Sequence, residues 1–121
     1  MQTKKTLVIG ASIKPSRYSN MAIRLLRQKG HPVVAIGLRE GQVEDVPIFT
    51  HPPVVNDIHT VTIYINPVAQ EDFYDYLLSL NLRRIIFNPG TENRTFKKMA
   101  LEQDIEIVEN CTLVMLNRNL F

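Results

Sequence analysis

The fold is decided by the stretch TLVIGASIKPSRYSN at residues 6–20, in which a β-rich apolar run leads through a glycine into a long polar loop. The run does not alternate with polar residues, which is typical of a strand covered on both faces. Four further runs of this kind follow, at residues 33–36, 61–65, 85–87 and 105–108. Three segments between them have the apolar spacing of amphipathic helices, at residues 21–29, 69–80 and 96–100. Strands and helices therefore alternate along nearly the whole chain.

This alternation predicts an α/β fold, a Rossmann-like, doubly wound three-layer sandwich around a mainly parallel sheet of five to six strands. Right-handed crossovers favour the strand order 3-2-1-4-5, with a sixth short element near Ile105. The segment at residues 38–59 has no helical spacing and contains several prolines. Val46-Pro47-Ile48-Phe49 within it predicts a short third strand, and its proline restricts it to the outer edge of the sheet. We find no linker, so we expect a single domain over residues 1–121.

Composition excludes several classes of protein. The 121 residues carry 14 Lys and Arg against 12 Asp and Glu, and 45% of them are hydrophobic, as expected of one soluble domain. Cys111 is the only cysteine, which excludes a disulfide scaffold and any zinc site built from several thiolates. No run approaches the ~18 apolar residues of a membrane span, and residues 1–10 lack a signal-peptide pattern. We therefore expect a cytoplasmic protein with no membrane partner, and the scattered cations predict no nucleic-acid partner.

The loop after the first strand has the composition of an anion site. In open α/β sheets, ligands bind at the carboxyl ends of the strands, at the point where the strand order reverses, here between strands 1 and 4. Gly10 allows a close turn, Ser12 and Ser16 supply hydroxyls, and Ser19 or Asn20 can cap a helix whose N–H groups attract phosphate. Lys14 and Arg17 add two cations. The alternative is a capped loop with two exposed cations.

Standard nucleotide fingerprints narrow the choice of phosphate ligand. The P-loop pattern G-x-x-x-x-G-K-[ST] and the dinucleotide pattern G-x-G-x-x-G are both absent from this loop. Arg39 follows the second strand, where an NAD site offers a carboxylate to the ribose. A cation there favours NADP or another adenine nucleotide with a 2′- or 3′-phosphate. Arg39 is otherwise a solvated loop residue.

The motifs and their order along the chain resemble those of a known protein family. Gly-Ala-Ser-x-x-Pro-x-Arg at residues 10–17, directly after the first strand and before a helix ending at Gly30-His31, resembles the CoA-binding domain family, whose members are Rossmann-like proteins related to the CoA-binding part of succinyl-CoA synthetase. The likeness continues through Val46-Pro47-Ile48-Phe49, Asn66-Pro67, Asn88-Pro89-Gly90 and Asn110-Cys111. It covers essentially the entire chain.

The resemblance implies coenzyme A as the ligand and assigns residues to its parts. The pyrophosphate would be held by Gly10, Ala11, Ser12, Lys14 and Arg17, and Arg39 would approach the phosphorylated ribose. The path of the adenine and pantetheine arm would be lined by Asn66, Pro67, Asn88, Pro89 and Gly90. Many family members carry basic or glutamine side chains after strands 4 and 5, where this sequence has asparagine. Asn-Pro is also typical of an ordinary strand-terminating turn.

No catalytic apparatus emerges from the sequence. We expect His31 and His59 at the amino-terminal edge of the sheet and His51 in the proline-rich crossover, and Ser12 does not lie in a G-x-S-x-G elbow. No cluster predicts a metal site. We therefore predict a CoA-binding or acyl-CoA-binding carrier, sensor or partner subunit, with a homo-oligomer or an enzyme partner as options. The alternatives are an NADP-dependent reductase, the nucleotide-binding half of a CoA-thioester enzyme, or a redox module in which Cys111 forms a mixed disulfide with CoA.

Overall fold

Seven strands form one sheet in the computed structural model, which describes residues 2–121. The strands are β1 (Thr6–Ala11), β2 (Val33–Gly37), β3 (Gly41–Val43), β4 (Val46–Phe49), β5 (Thr60–Ile63), β6 (Arg84–Phe87) and β7 (Glu106–Glu109). The helices are α1 (Tyr18–Gln28), α2 (Pro67–Gln70), α3 (Tyr74–Leu78), α4 (Arg94–Leu101) and α5 (Thr112–Asn117), with a 3₁₀ turn over Glu71–Phe73 between α2 and α3.

The strand order is β3-β4-β2-β1-β5-β6-β7. All neighbouring pairs are parallel except β3 and β4. The five strands of the predicted order 3-2-1-4-5 occur here as β4-β2-β1-β5-β6, and the Rossmann-like α/β class is confirmed. The sheet has seven strands and not the five to six expected, because β3 and β7 extend it at its two edges. The prediction that the strand at residues 46–49 lies outermost is wrong, because β3 forms a hairpin with it and occupies the edge. Pro47 is tolerated since the parallel pairing of β4 with β2 begins only at Ile48.

Apolar side chains cover both faces of the sheet, as a doubly wound sandwich requires. On one face Leu7 and Ile9 of β1 pack in a cluster with Leu77 of α3 and Phe96 of α4. On the other face Val8 packs with residues of α1 and α5, which include Ile23, Leu26 and Leu116. Consecutive residues of β1 thus enter different cores, which explains why its sequence is apolar without alternation. Buried Met115 and Leu116 show that the apolar segment after Cys111 packs internally.

The predicted helix at residues 69–80 is divided. The buried Gln70 side chain, in the first turn, donates to the carbonyl oxygens of Ile65 and Thr91, whereas the later turn buries Leu77 against the sheet. The two turns face different partners, and the 3₁₀ turn joins them. Within residues 2–121, no helix has the length and apolar character needed to cross a membrane.

Candidate functional site

Four adjacent parallel strands, in the order β2, β1, β5 and β6, bring the loops that follow them to one edge of the sheet. The residues that the sequence predicts for the ligand site follow these strands. They are Gly10, Ala11, Ser12, Lys14 and Arg17 at the end of β1 and in the loop after it, Arg39 after β2, Asn66 and Pro67 after β5, and Asn88, Pro89 and Gly90 after β6. The strand order reverses between β1 and β5, so this edge holds the crevice in which such sheets bind ligands.

Gly10 forms a bulge at the centre of this edge. The register of β1 on β2 shifts between Ile9 and Ala11, and Gly10 has a φ of +96°. A methyl group added here would lie 2.9 Å from Cγ2 of Ile65 and 3.1 Å from Cβ of Tyr64. Only glycine therefore allows the loop after β1 to approach the end of β5 this closely.

Two side chains of helix α1 form hydrogen bonds with the loop after β1. Asn20 is buried, and its side-chain amide donates to the carbonyl oxygen of Ser12 at 2.9 Å. Arg24, one turn later, donates to Asn20 Oδ1 at 2.8 Å and to the carbonyl oxygen of Pro15 at 3.0 Å. From the sequence we expected Asn20 only as a helix cap and did not predict a role for Arg24, although a spacing of four residues on a helix places the two side chains on one face.

The amino-terminal end of α1 carries no side-chain cap. Arg17 stands at the cap position and makes no capping hydrogen bond, so the expectation that Ser19 or Asn20 caps the helix is wrong. Asn20 lies inside the first turn, where it bonds to the preceding loop. An uncapped helix amino terminus keeps unpaired N–H groups and a positive dipole end, which favour an anion.

Three exposed cations lie in the loops after β1 and β2. Lys14, Arg17 and Arg39 are exposed, and none takes part in the two ion pairs found among residues 2–121. The Ser12 hydroxyl accepts a hydrogen bond from the Lys14 N–H at 3.1 Å. The end of β2 is close to this loop as well, since a side chain on Gly37 would collide with the carbonyl oxygen of Ala11. Arg39 thus extends from a strand end that touches the loop after β1.

The two asparagines after β5 and β6 have different structural roles. Asn66 is exposed, and its Oδ1 caps α2 by accepting from the Ala69 N–H at 2.9 Å, with Pro67 at the first helical position. Asn88 is only 3% exposed. Its amide donates to Thr62 Oγ1 at 2.7 Å and to the Ile63 carbonyl at 2.8 Å, and its Oδ1 accepts from the Thr112 N–H at 2.9 Å. The structure thus uses Asn88 to join β5, β6 and α5, while Pro89 and Gly90 stay exposed.

A buried amide pair ties the loop after β5 to the loop after β6. Gln70, besides its bonds to the backbone of both loops, accepts at Oε1 from the Asn93 side chain at 2.9 Å. Asn93 also caps α4 by accepting from the Phe96 N–H at 3.0 Å. These bonds fix the loops after β5 and β6 to each other, and the role of Gln70 in them was not predicted from the sequence.

Two threonine hydroxyls lie beside Asn88. Thr62 Oγ1 and Thr112 Oγ1 share a hydrogen bond of 2.7 Å. The nearby Tyr64 hydroxyl is buried and has no hydrogen-bond partner within residues 2–121. Burial raises the pKa of Tyr64 to about 12, against a smaller opposing influence of the Thr112 and Thr62 hydroxyls, so this phenol is neutral at physiological pH. Cys111, at the cap position of α5, is half-buried.

The histidines are remote from this edge. His31 precedes β2 and His59 precedes β5, so both lie at the amino-terminal edge, and His51 is exposed in the crossover between β4 and β5. No group of three His, Cys, Asp or Glu side chains in the described part of the chain could hold a metal ion.

Known structures share this architecture. A crystal structure of an uncharacterized protein is 42% identical, with a TM-score of 0.96 and 100% of both chains covered. A hypothetical protein from Pyrococcus horikoshii OT3 has 22% identity and a TM-score of 0.86, over 98% of this chain and 84% of that one. A dinucleotide-forming acetyl-coenzyme A synthetase 1 from Ca. Korarchaeum cryptofilum, in complex with phosphate and ADP, shares the fold at 14% identity and a TM-score of 0.71, over 88% of this chain and 25% of that one.

A family assignment comes from the sequence itself. No curated protein matches the chain. The family model described as CoA binding domain matches residues 4–117, which is nearly the whole chain. The glycine bulge, the uncapped helix and the neighbouring cations lie inside the matched region. The chain therefore belongs to the CoA binding domain family.

Proposed function

We propose that this protein binds coenzyme A, or an acyl-CoA, through its phosphate groups at the carboxyl edge of the sheet. The observation that carries the proposal is the amino terminus of α1, where no side chain caps the helix and where the exposed Lys14 and Arg17 form no ion pair with any carboxylate among the described residues 2–121. A pyrophosphate would supply the missing acceptors for the helix N–H groups and the missing negative charge. Membership of the CoA binding domain family supports this ligand.

Each loop at this edge of the sheet contacts a different part of the ligand. The pyrophosphate lies on the loop after β1, where Gly10 and Ala11 supply close backbone and Ser12, Lys14 and Arg17 supply donors. Arg39, at the neighbouring strand end, pairs with the phosphate on the ribose. Asn66, Pro67, Pro89 and Gly90 line the path of the adenine and pantetheine arm, and Asn88 shapes this path from beneath because its amide is engaged in the fold.

We further propose that binding is the whole activity, in a carrier, a sensor or the partner subunit of an enzyme. Ser12 is engaged in a turn with Lys14, the Tyr64 phenol is neutral, and the histidines lie at the opposite edge of the sheet. None of these groups is arranged as a nucleophile beside a general base. We place this function in a single cytoplasmic domain over residues 1–121.

Arg39 also favours one competing ligand. A cation after the second strand pairs with a 2′-phosphate as well as with a 3′-phosphate, so NADPH is the ligand to compare with CoA. Titration calorimetry of the folded protein with CoA, 3′-dephospho-CoA and NADPH separates these cases. We expect CoA to bind most tightly, and removal of the 3′-phosphate to weaken binding. Tighter binding of NADPH than of CoA would favour the reductase alternative.

Variants locate the binding site in the same experiment. A charge-assisted hydrogen bond contributes ~1.5–3 kcal/mol, so Arg17→Ala should weaken CoA binding by about 10- to 150-fold. Arg39→Ala should abolish the difference between CoA and 3′-dephospho-CoA. Arg83→Ala is the matched control, because it removes an equal charge from an exposed position at the opposite edge. Absence of CoA binding at millimolar concentration, with the protein shown to be folded, would refute the proposal.

A further inference from the structure

Two carbonyl oxygens of the loop after β1 are bonded to side chains of α1. The amide of Asn20 donates to the carbonyl oxygen of Ser12 at 2.9 Å, and Nη2 of Arg24 donates to that of Pro15 at 3.0 Å. Nε of Arg24 also donates to Oδ1 of Asn20 at 2.8 Å. Arg24 is therefore bonded to the loop twice, once directly and once through Asn20.

The rest of the loop shows a difference between its carbonyl and its N–H groups. Pro15 and Ser16 are the central residues of a turn in which the Lys14 carbonyl accepts from the Arg17 N–H at 3.1 Å. Proline favours this position, because its fixed φ matches the turn. The N–H groups of Ile13 and Ser16 have no acceptor within residues 2–121. Free N–H groups attract an anion and free carbonyl oxygens repel it, so this bonding pattern suits the loop to a phosphate group.

Asn20 depends on Arg24 for its orientation. Asn20 is only 3% exposed, and both ends of its amide are used, Nδ2 by Ser12 and Oδ1 by Arg24. Without Arg24, Oδ1 would be buried and would lose its donor, which is costly and favours rotation of the amide. The rotated amide would release the Ser12 carbonyl. Removal of Arg24 therefore frees both carbonyl oxygens of the loop that α1 now holds.

Lysine has the charge of Arg24 but not its geometry. The two acceptors are bonded to two different nitrogens of one planar guanidinium, Nε and Nη2. A lysine side chain ends in a single nitrogen and has no fixed fork of donors. The variant Arg24→Lys thus separates the geometry of this residue from its charge.

We propose that Asn20 and Arg24 are positioning residues for the site of the CoA pyrophosphate. They hold the carbonyl oxygens of Ser12 and Pro15 at α1, and so keep the ligand-free loop in the form that presents N–H groups. A site that is ordered in advance loses less conformational entropy on binding. Neither residue has to touch the ligand. Their role rests on the proposed function, because this loop is the one proposed to bind CoA.

Titration calorimetry with CoA, combined with ¹⁵N relaxation of the ligand-free protein, tests this role. We expect Asn20→Ala, Arg24→Gln and Arg24→Lys each to weaken CoA binding by about 5- to 30-fold, the equivalent of one or two hydrogen bonds. Backbone order parameters in the loop at residues 12–17 should fall in the same variants. Lys29→Gln is the control, because it removes one cation from the other end of α1, and it should change neither measurement. The Arg24 variants suffice if Asn20→Ala does not fold, since Arg24 is exposed.

Three results would overturn this role and leave the proposed function intact. A purely structural role would lower the free energy of unfolding of the variants, while the folded protein kept wild-type affinity and loop order. Wild-type affinity in Arg24→Lys would show that charge alone is responsible. Weakened CoA binding with unchanged order parameters would make Arg24 a direct ligand contact. A folded wild type that does not bind CoA would instead refute the proposed function and this role together.

Discussion

Replacing Asn88 with alanine should damage the fold far more than a ligand contact would. The side chain makes three buried hydrogen bonds, to Thr62, Ile63 and Thr112, and each contributes about 1 kcal/mol. Their loss, with the Thr112 N–H left buried and unpaired, should lower the free energy of unfolding by about 3 to 5 kcal/mol. Urea unfolding at equilibrium measures this change directly. The residual folded protein should still bind CoA, because Asn88 offers it no free amide.

Asn66→Ala is the matched control for this prediction. Asn66 is also an asparagine at a strand end, but it is exposed and makes one capping bond, so the variant should lose about 1 kcal/mol. Suppose instead that the free energy of unfolding of Asn88→Ala lies within about 1 kcal/mol of the wild-type value and that the variant no longer binds CoA. The reasoning from its three buried bonds would then be refuted, and Asn88 would be a direct ligand contact.

Three other predictions concern backbone strain and pH. Gly10→Ala should destabilise more than Gly30→Ala, since both positions have positive φ but only the first places the new methyl within 2.9 Å of a side chain; equal losses in urea would contradict the steric argument. The pKa values of His31 and His59 are lowered in the folded protein, so the unfolded chain binds more protons as the pH falls. The free energy of unfolding should therefore be at its full value above pH 6.5 and decrease below it, less steeply in His59→Gln. A free energy of unfolding that does not change with pH in this range would contradict the prediction. Between pH 10 and about 12, Tyr64 ionises in the unfolded chain but not in the folded protein. The free energy of unfolding of the wild type should therefore fall by up to about 3 kcal/mol over this range, whereas that of Tyr64→Phe should not show this loss. Equal changes in the two proteins would contradict the burial of this phenol.

The sequence was sufficient to predict most strands of the sheet and their order. Strands buried on both faces have continuous apolar runs, and such runs predicted β1, β2, β5 and β6. The mixed run at residues 105–108 predicted β7, an edge strand that is partly exposed. Strand β3 has only three residues, two of them exposed, and so carries no such run. Its pairing with β4 depends on a two-residue turn at Glu44 and Asp45, where Glu44 has a φ of 52°. Neither residue is the glycine or asparagine by which such a turn is usually predicted.

The candidate site was predictable in its position but not in its internal bonding. Because the carboxyl ends of parallel strands share one edge, residues from four loops could be placed together without coordinates. The partners of Asn88 lie 24 to 26 residues away in sequence, and Lys4 contacts Phe121 across 117 residues. Nothing local in the sequence indicates such contacts, so the structural role of Asn88 and the contact between Lys4 and Phe121 could be found only in the structure.

Mapping of amide chemical shifts during a CoA titration reports both whether CoA binds and where it binds. We predict saturable shifts in the loop at residues 10–17, at Arg39 and in the loops at residues 64–67 and 88–91, with little change at Lys4 and Arg84. Arg17→Ala should require more CoA for the same shifts. A folded protein that shows no saturable shifts, or whose shifts concentrate at the amino-terminal edge, would contradict the assignment of the crevice as the CoA site.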